Sequence, residues 1–258
     1  MLPLTTIGGR IVDLKCESKW NAIVITDLHF SAGESYFSKE LIPQTFEELG
    51  QYIEKEQSKQ IIILGDVFHS QSYKSKYHVK IIEDFLQFGL PVYIIPGNHD
   101  RTKFLTIEKK LSKKQLSMCT IVNKGFFMRI TPNIQEEQEE EENEKKEEEE
   151  EEQQDLSNCK NVFDLSTFDQ IIFTHDAGNG YWLSEKQVIP FLRSIKFHHK
   201  QYFDESSFLL AGHTHRLKIA KDEQFGSLSP FHPGSTDGRS YAVVKQVGNK
   251  LHLYIVKI

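Results

Sequence analysis

The chain predicts an α/β fold in which helices pack outside central sheets. Three observations carry that prediction. Five short apolar runs are continuous rather than alternating, amphipathic stretches separate them, and 258 residues are enough for one sizeable core. In chain order the runs are Ala22–Thr26 (AIVIT), Ile61–Gly65 (IIILG), Val92–Ile95 (VYII), Ile171–Thr174 (IIFT) and Phe208–Ala211 (FLLA). Their branched side chains suit strands covered on both faces. Between the runs, Phe46, Leu49 and Ile53 share one helical face, and Ile81, Phe85 and Phe88 share another. Further helices are expected after Asp100 and across Ser184–Ile195. The tail from Tyr241 to Ile258 reads as two strands around the turn Val247–Gly248–Asn249–Lys250.

The segment Gln135–Gln154 breaks this pattern. It is rich in Glu and Gln and lacks aliphatic and aromatic residues, so it is expected to be a solvated insertion, disordered or transiently helical. It interrupts a single domain spanning residues 1–258 without dividing it. Between Glu136 and Glu152 stand 13 glutamates and two lysines, a net of −11 against −6 for the whole chain. The rest, with 29 basic and 24 acidic residues, is mildly basic at +5, which is compatible with a phosphate-bearing substrate. Such a charge run is usually a solvated face, and it can also recruit basic partners.

Three cysteines, Cys16, Cys119 and Cys159, are too few and too scattered for a disulfide framework or a thiolate zinc site. The N-terminus has no charged start followed by an apolar run, and no stretch approaches the length of a spanning helix. A protein of the cytoplasm or nucleus, without membrane contact, is expected.

The residues just past each apolar run point to chemistry. AIVIT leads into Asp27-Leu28-His29, IIILG into Asp66, and VYII into Pro96-Gly97-Asn98-His99-Asp100. IIFT leads into His175-Asp176, and FLLA into Gly212-His213-Thr214-His215. In α/β sheets the ligand crevice lies outside the carboxyl ends of the strands, so these residues can converge on one place. A single strand-end Asp is often a helix cap and a single His a loop residue, but five such ends together form a pattern. In an extended backbone residues i and i+2 point the same way, so Asp27/His29 and His213/His215 are each expected to address one site. Mixed nitrogen and oxygen donors without thiolate suit manganese first, then iron, nickel or zinc, and magnesium less well.

The motifs DLH (Asp27–His29), GDVFH (Gly65–His69), GNHD (Gly97–Asp100), the isolated His175 and GHTH (Gly212–His215) resemble the calcineurin-like metallophosphoesterase superfamily over nearly the whole chain. The resemblance implies a four-layer α/β/β/α sandwich with two central mixed sheets. It further implies two divalent metal ions, one held by Asp27, His29, Asp66 and His215, the other by Asp66, Asn98, His175 and His213, with Asp66 bridging. The implied reaction is hydrolysis of a phosphate ester by a hydroxide bridging the metals. In that scheme His99 acts as general acid, Asp100 orients the His99 ring, and His69 and Arg101 contact substrate. The GDVFH and GNHD forms look like small PdeM-type phosphodiesterases, which match in size, and like SbcD-type nucleases, which carry additional domains. They do not fit the GDxVDRG and GNHE forms of serine/threonine protein phosphatases. A phosphodiester, nucleotide-like or within a nucleic acid, is the expected substrate. A nuclease is one alternative, and a catalytically silent metal-binding scaffold is another. Lys103, Arg216 and Arg239 are candidate phosphate contacts, and Tyr181 and Trp182 candidate stacking residues.

Overall fold

The computed structural model describes residues 4–7, 11–15, 20–30, 41–69, 75–122, 127–132, 161–175, 206–220, 224–233 and 238–258. The acidic insertion, the helix expected over Ser184–Ile195, and Tyr181 and Trp182 lie outside this set.

Among the described residues the strands form two seven-stranded mixed sheets. The first contains β1 (Leu4–Ile7), β2 (Ile11–Lys15), β7 (Phe127–Thr131), β9 (Gln170–Thr174), β10 (Ser207–Ala211), β12 (Phe225–Ser227) and β11 (Lys218–Ala220), in that spatial order. The second runs β6 (Cys119–Ile121), β5 (Val92–Ile94), β4 (Gln60–Ile63), β3 (Asn21–Ile25), β13 (Ser240–Val247), β14 (Lys250–Lys257) and β8 (Val162–Phe168). All five apolar runs are strands, divided between the sheets: β3, β4 and β5 in one, β9 and β10 in the other.

The continuous runs have a direct physical reading. In β3 and β4, Ala22, Val24, Ile62 and Leu64 face the core between the sheets, where Phe173, Phe208 and Leu210 meet them. The alternate residues Ile23, Ile25, Ile61 and Ile63 face a second core beneath the helices. A strand buried on both faces has no use for polar alternation. The helical layer consists of α1 (Leu41–Lys55), α2 (Ser75–Leu86) and α3 (Arg101–Glu108), with the short α4 (Lys113–Leu116) behind them. α1 places Ile42, Thr45 and Leu49 inward, with Phe46, Tyr52 and Ile53 partly buried around them. Its Pro43 falls in the first turn, where no intrahelical N–H is lost. Among the described residues the layering is therefore helix, sheet, sheet, and no helix is long and apolar enough to cross a membrane.

One polar tie crosses these layers and another runs within a sheet. Glu56, at the end of α1, accepts hydrogen bonds from the hydroxyls of Tyr241 and Tyr254 on β13 and β14. On the first sheet, Arg129 holds Asp13 with two bonds and reaches Gln170, which donates to Ser207.

His78 on α2 is buried against the Phe68 ring, with centroids 4.4 Å apart. Burial, then the charge of Lys103, pushes its pKa down to about 4. An unfolded chain binds that proton near pH 6.5, so the contribution of neutral His78 is present above 6.5 and is lost as pH falls toward 4. Urea unfolding of His78→Leu at pH 7 and pH 4.5 should show a smaller loss between the two than the wild type does.

Candidate metal centre

The chain leaves β3 and β4 side by side, and the two exit segments stay hydrogen-bonded. The N–H groups of Asp27, His29 and Phe30 donate to the carbonyls of Gly65, Asp66 and Val67 at 3.0, 2.8 and 2.8 Å, and His69 N–H donates back to Phe30 at 3.1 Å. Phe30 and Phe68 pair as an isolated parallel bridge, and their buried rings root this ribbon in the helix-side core. Asp27 and His29 on one segment are thereby fixed against Asp66 and His69 on the other.

Asp100 fastens a third segment to this ribbon. Its buried carboxylate accepts the backbone N–H of Val67 at 2.9 Å, of Phe68 at 3.1 Å and of Gly97 at 3.3 Å. This differs from the orienting role expected of it. The Asp100 carboxylate is taken up by backbone donors rather than by the His99 ring, and it caps α3 with no side-chain bond. Burial, then the like charge of Asp66, raises its pKa to about 6 against the pull of those donors.

The expected metal ligands come together in two clusters. Asp27, His29 and His215 form one; Asp66, His175 and His213 form the other, with ligand atoms in each group within 4.8 Å of one another. Asn98 joins the second, its Oδ1 3.1 Å from His175 Nε2. Asp66 Oδ2 lies 3.3 Å from His175 Nε2 and 3.9 Å from His29 Nε2, facing both clusters. Asp66 Oδ1 is engaged separately by His99 N–H at 3.0 Å, so the two oxygens are committed to different partners.

One spacing expectation is corrected. His213 and His215 do not address one site: His213 Nδ1 stands 3.3 Å from His175 Nε2, whereas His215 Nε2 stands 2.9 Å from His29 Nε2. The backbone explains it. His213 (φ 67°) and His215 (φ 55°) are left-handed, as are Asp27 (φ 51°), His29 (φ 46°) and Asp66 (φ 48°), so the extended-chain rule does not apply. Gly97 is needed where this packing is tightest, because a Cβ there would lie 2.1 Å from Asp66 Oδ1.

The donor set fits divalent cations. Two imidazole nitrogens 2.9 Å apart both face Asp27 Oδ1, at 3.8 Å from His29 and 3.4 Å from His215. That oxygen is buried and receives no hydrogen bond among the described residues. Leu64 O can only accept, so His175 Nδ1 carries the proton in their 2.6 Å bond and leaves Nε2 as a donor to metal. Burial, opposed by Asp27 and Asp66, drives His29 down to about 3, a neutral ligand. For His175 burial is outweighed by the Asp66 carboxylate, which lifts it to about 9.

At the rim, His99 is 39% exposed with Nε2 4.0 Å from Asp66 Oδ2. Its ring lies parallel to that of His69, centroids 6.1 Å apart, and both meet the His29 ring edge-on. The cationic candidates fare differently. Lys103 is buried with Nζ 5.5 Å from the Phe68 ring centre, and Arg239 is paired with Glu48. Arg216 is exposed, and Arg101 opens α3 with its side chain outside the described set. Two contributors carry no sequence signal of their own, Thr26 and Leu64, whose polar atoms brace ligands, whereas His232, which opens the HPGST stretch (His232–Thr236), is buried near His215 and Asp27. Thr26 and Leu64 act through a hydroxyl and a carbonyl that an apolar run conceals.

The calcineurin-like phosphoesterase family model matches residues 21–217. No curated protein sequence matches the chain. Among solved structures, TT1561 of Thermus thermophilus is similar at a TM-score of 0.51 with 14% identity, over 92% of this chain and 98% of that one. An archaeal phosphodiesterase aligns at 0.47 and 10% identity, over 92% and 99%. The Pseudomonas putida nuclease MPE aligns at 0.41 and 16%, over 90% and 86%. The first supports the two-sheet fold.

Asp100→Ala would strand three buried N–H donors at about 1–3 kcal/mol each. Its urea midpoint should fall well below that of the wild type, with ion binding weakened in parallel when measured by calorimetry.

Proposed function

Since this chain belongs to the calcineurin-like phosphoesterase family, we propose that it is a hydrolase of phosphate esters, acting on a phosphodiester through two divalent cations, manganese foremost. The observation that carries the reading is Asp66 Oδ2 set between the two ligand clusters, with His99 beside it at the rim. In this reading Asp27, His29, Asp66 and His215 hold one cation, and Asp66, Asn98, His175 and His213 the other. When bound, the cations supply Lewis acidity toward the phosphate oxygens and lower the pKa of water between them.

The chain's own residues do the rest. Imidazoles held neutral, such as His29, keep the ligand charge low enough for an anionic ester to enter. His99, partly exposed beside the first cluster, is the general acid in this reading, protonating the departing ester oxygen. Asp66 Oδ1, gripping the His99 backbone, keeps that ring over the cluster. His69, parallel to His99, contacts the ester from the same side. Asp100 supports both histidines by joining the segments that carry them.

A panel of aryl phosphodiesters, phosphomonoesters, nucleotides, and single-stranded and duplex nucleic acids, assayed with manganese, tests the reading. Aryl diester hydrolysis is expected. His99→Ala should lower turnover about 10²–10⁴-fold for alkyl leaving groups and much less for p-nitrophenyl, which departs without a proton. Asp66→Asn should be inactive on all. Cleavage of nucleic acid as well would make the enzyme a nuclease, and a wild type inert on every substrate with every divalent ion would sink the catalytic claim.

Ion binding should also release protons. His175, lifted to about 9 without a cation, is protonated at pH 7 and must lose that proton to become a ligand. Calorimetric titration with Mn²⁺ in buffers of different ionisation enthalpy should report that release, with affinity rising from pH 6 toward pH 9.

A further inference from the structure

We propose that the Thr26 hydroxyl is the positioning group that reserves Oδ1 of Asp27 for a cation, an inference that rests on the dimetal reading above. Thr26 is fully buried just past the end of β3. Its Oγ1 lies 2.7 Å from Asp27 Oδ2 and 3.0 Å from Leu64 O. Asp27 Oδ2 also accepts the backbone N–H of His213 at 2.9 Å. One carboxylate oxygen is thus held by two donors, while the other, Oδ1, receives none among the described residues. Oδ1 is the oxygen that faces His215 Nε2 at 3.4 Å and His29 Nε2 at 3.8 Å.

A hydroxyl has one hydrogen and here faces two acceptors. The carboxylate oxygen is charged and nearer, and Leu64 O is already engaged by His175 Nδ1–H at 2.6 Å. The Thr26 hydrogen therefore goes to Asp27 Oδ2. With both donors in place the carboxylate plane is fixed and Oδ1 is aimed into the first cluster. Without the hydroxyl, Oδ2 keeps only His213 N–H, and the broad terminal torsion of an aspartate is free to turn Oδ1 away. The effect is confined to the Asp27 cluster, because the bond that orients His175 does not pass through Thr26.

The test titrates metal-free wild type, Thr26→Val, Thr26→Ala and Thr26→Ser with MnCl₂ by calorimetry. Electron paramagnetic resonance at two equivalents then separates a spin-coupled pair from a single ion. Thr26→Val and Thr26→Ala should bind one ion as the wild type does and the other about 10–100-fold more weakly, with a single-ion spectrum. Thr26→Ser should keep the coupled pair. The alanine variant covers poor fit of valine beside Gly212, where a Cβ would lie 2.0 Å from Thr26 Oγ1. Thermal melts of the metal-free variants close to the wild-type midpoint separate lost aim from lost fold. Unchanged affinities and a coupled pair in Thr26→Val and Thr26→Ala overturn the inference. A wild type that binds no Mn²⁺ overturns the dimetal reading itself.

Discussion

Asp66 sits at the end of β4 with its two oxygens committed in different directions. Oδ1 accepts the His99 backbone N–H, while Oδ2 stands between His175 and His29. That division forces the rest of the local structure. The turn carrying Asn98 and His99 must press directly on Asp66, which leaves no room for a side chain at Gly97. The turn must also be held there, and the Asp100 carboxylate does so by gripping Val67 and Phe68 just beyond Asp66. The ribbon between the β3 and β4 exits then brings His29 to 3.9 Å from the same oxygen, with Asp27 on the same segment. The two clusters thus stand side by side because three strand exits are tied to each other before any ion is considered.

The arrangement is costly for the backbone. Asp27, His29, Asp66, His213 and His215 all take left-handed φ, which disfavours a residue with a Cβ by about 1–2 kcal/mol each. Such conformations persist only where the surroundings over-determine them. Here the over-determination is visible as the backbone bonds from Asp27 and His29 to the neighbouring exit, the His213 N–H held by Asp27, and the Thr214 hydroxyl lodged against Ser227. Placing the strain at the ligands has a consequence. Side chains that would alternate along a strand are splayed, so His213 and His215 serve different clusters although only one residue separates them.

Much of this is legible in the sequence. The runs that form β3, β4, β5, β9 and β10 announce themselves because each is buried on both faces, and their polar successors are the residues that meet. Other strands lack that signature. β8 is an edge strand with mostly exposed positions, and β2 and β7 carry Asp13 and Arg129, which cancel each other on one face. The left-handed ligands are hard to see in sequence because Asp and His take positive φ more often than most residues but signal it far less than a glycine would. The adjacency of Asp100 to His99 misleads for a related reason. In a tight turn consecutive side chains diverge, so the carboxylate reaches back to the β4 exit while the imidazole faces outward.

The electrostatics complete the account. Asp27, Asp66 and Asp100 are all buried within a small volume. Imidazoles hold the first two ionised despite burial, whereas for Asp100 burial and the like charge of Asp66 outweigh its backbone donors and His175, and it is the one whose pKa rises. Among the described residues Lys103 is a nearby cation, yet it lies inside the protein over the Phe68 ring, and Arg239 is spent on Glu48. Neither offers its charge to a phosphate. In the proposed reaction, attraction of an anionic ester therefore rests first on the cations the two clusters hold, with His69, His99, Arg101 and Arg216 as the remaining candidate contacts. A site built this way would bind phosphate poorly when stripped of its ions, since the buried carboxylates would then repel what the loaded site attracts.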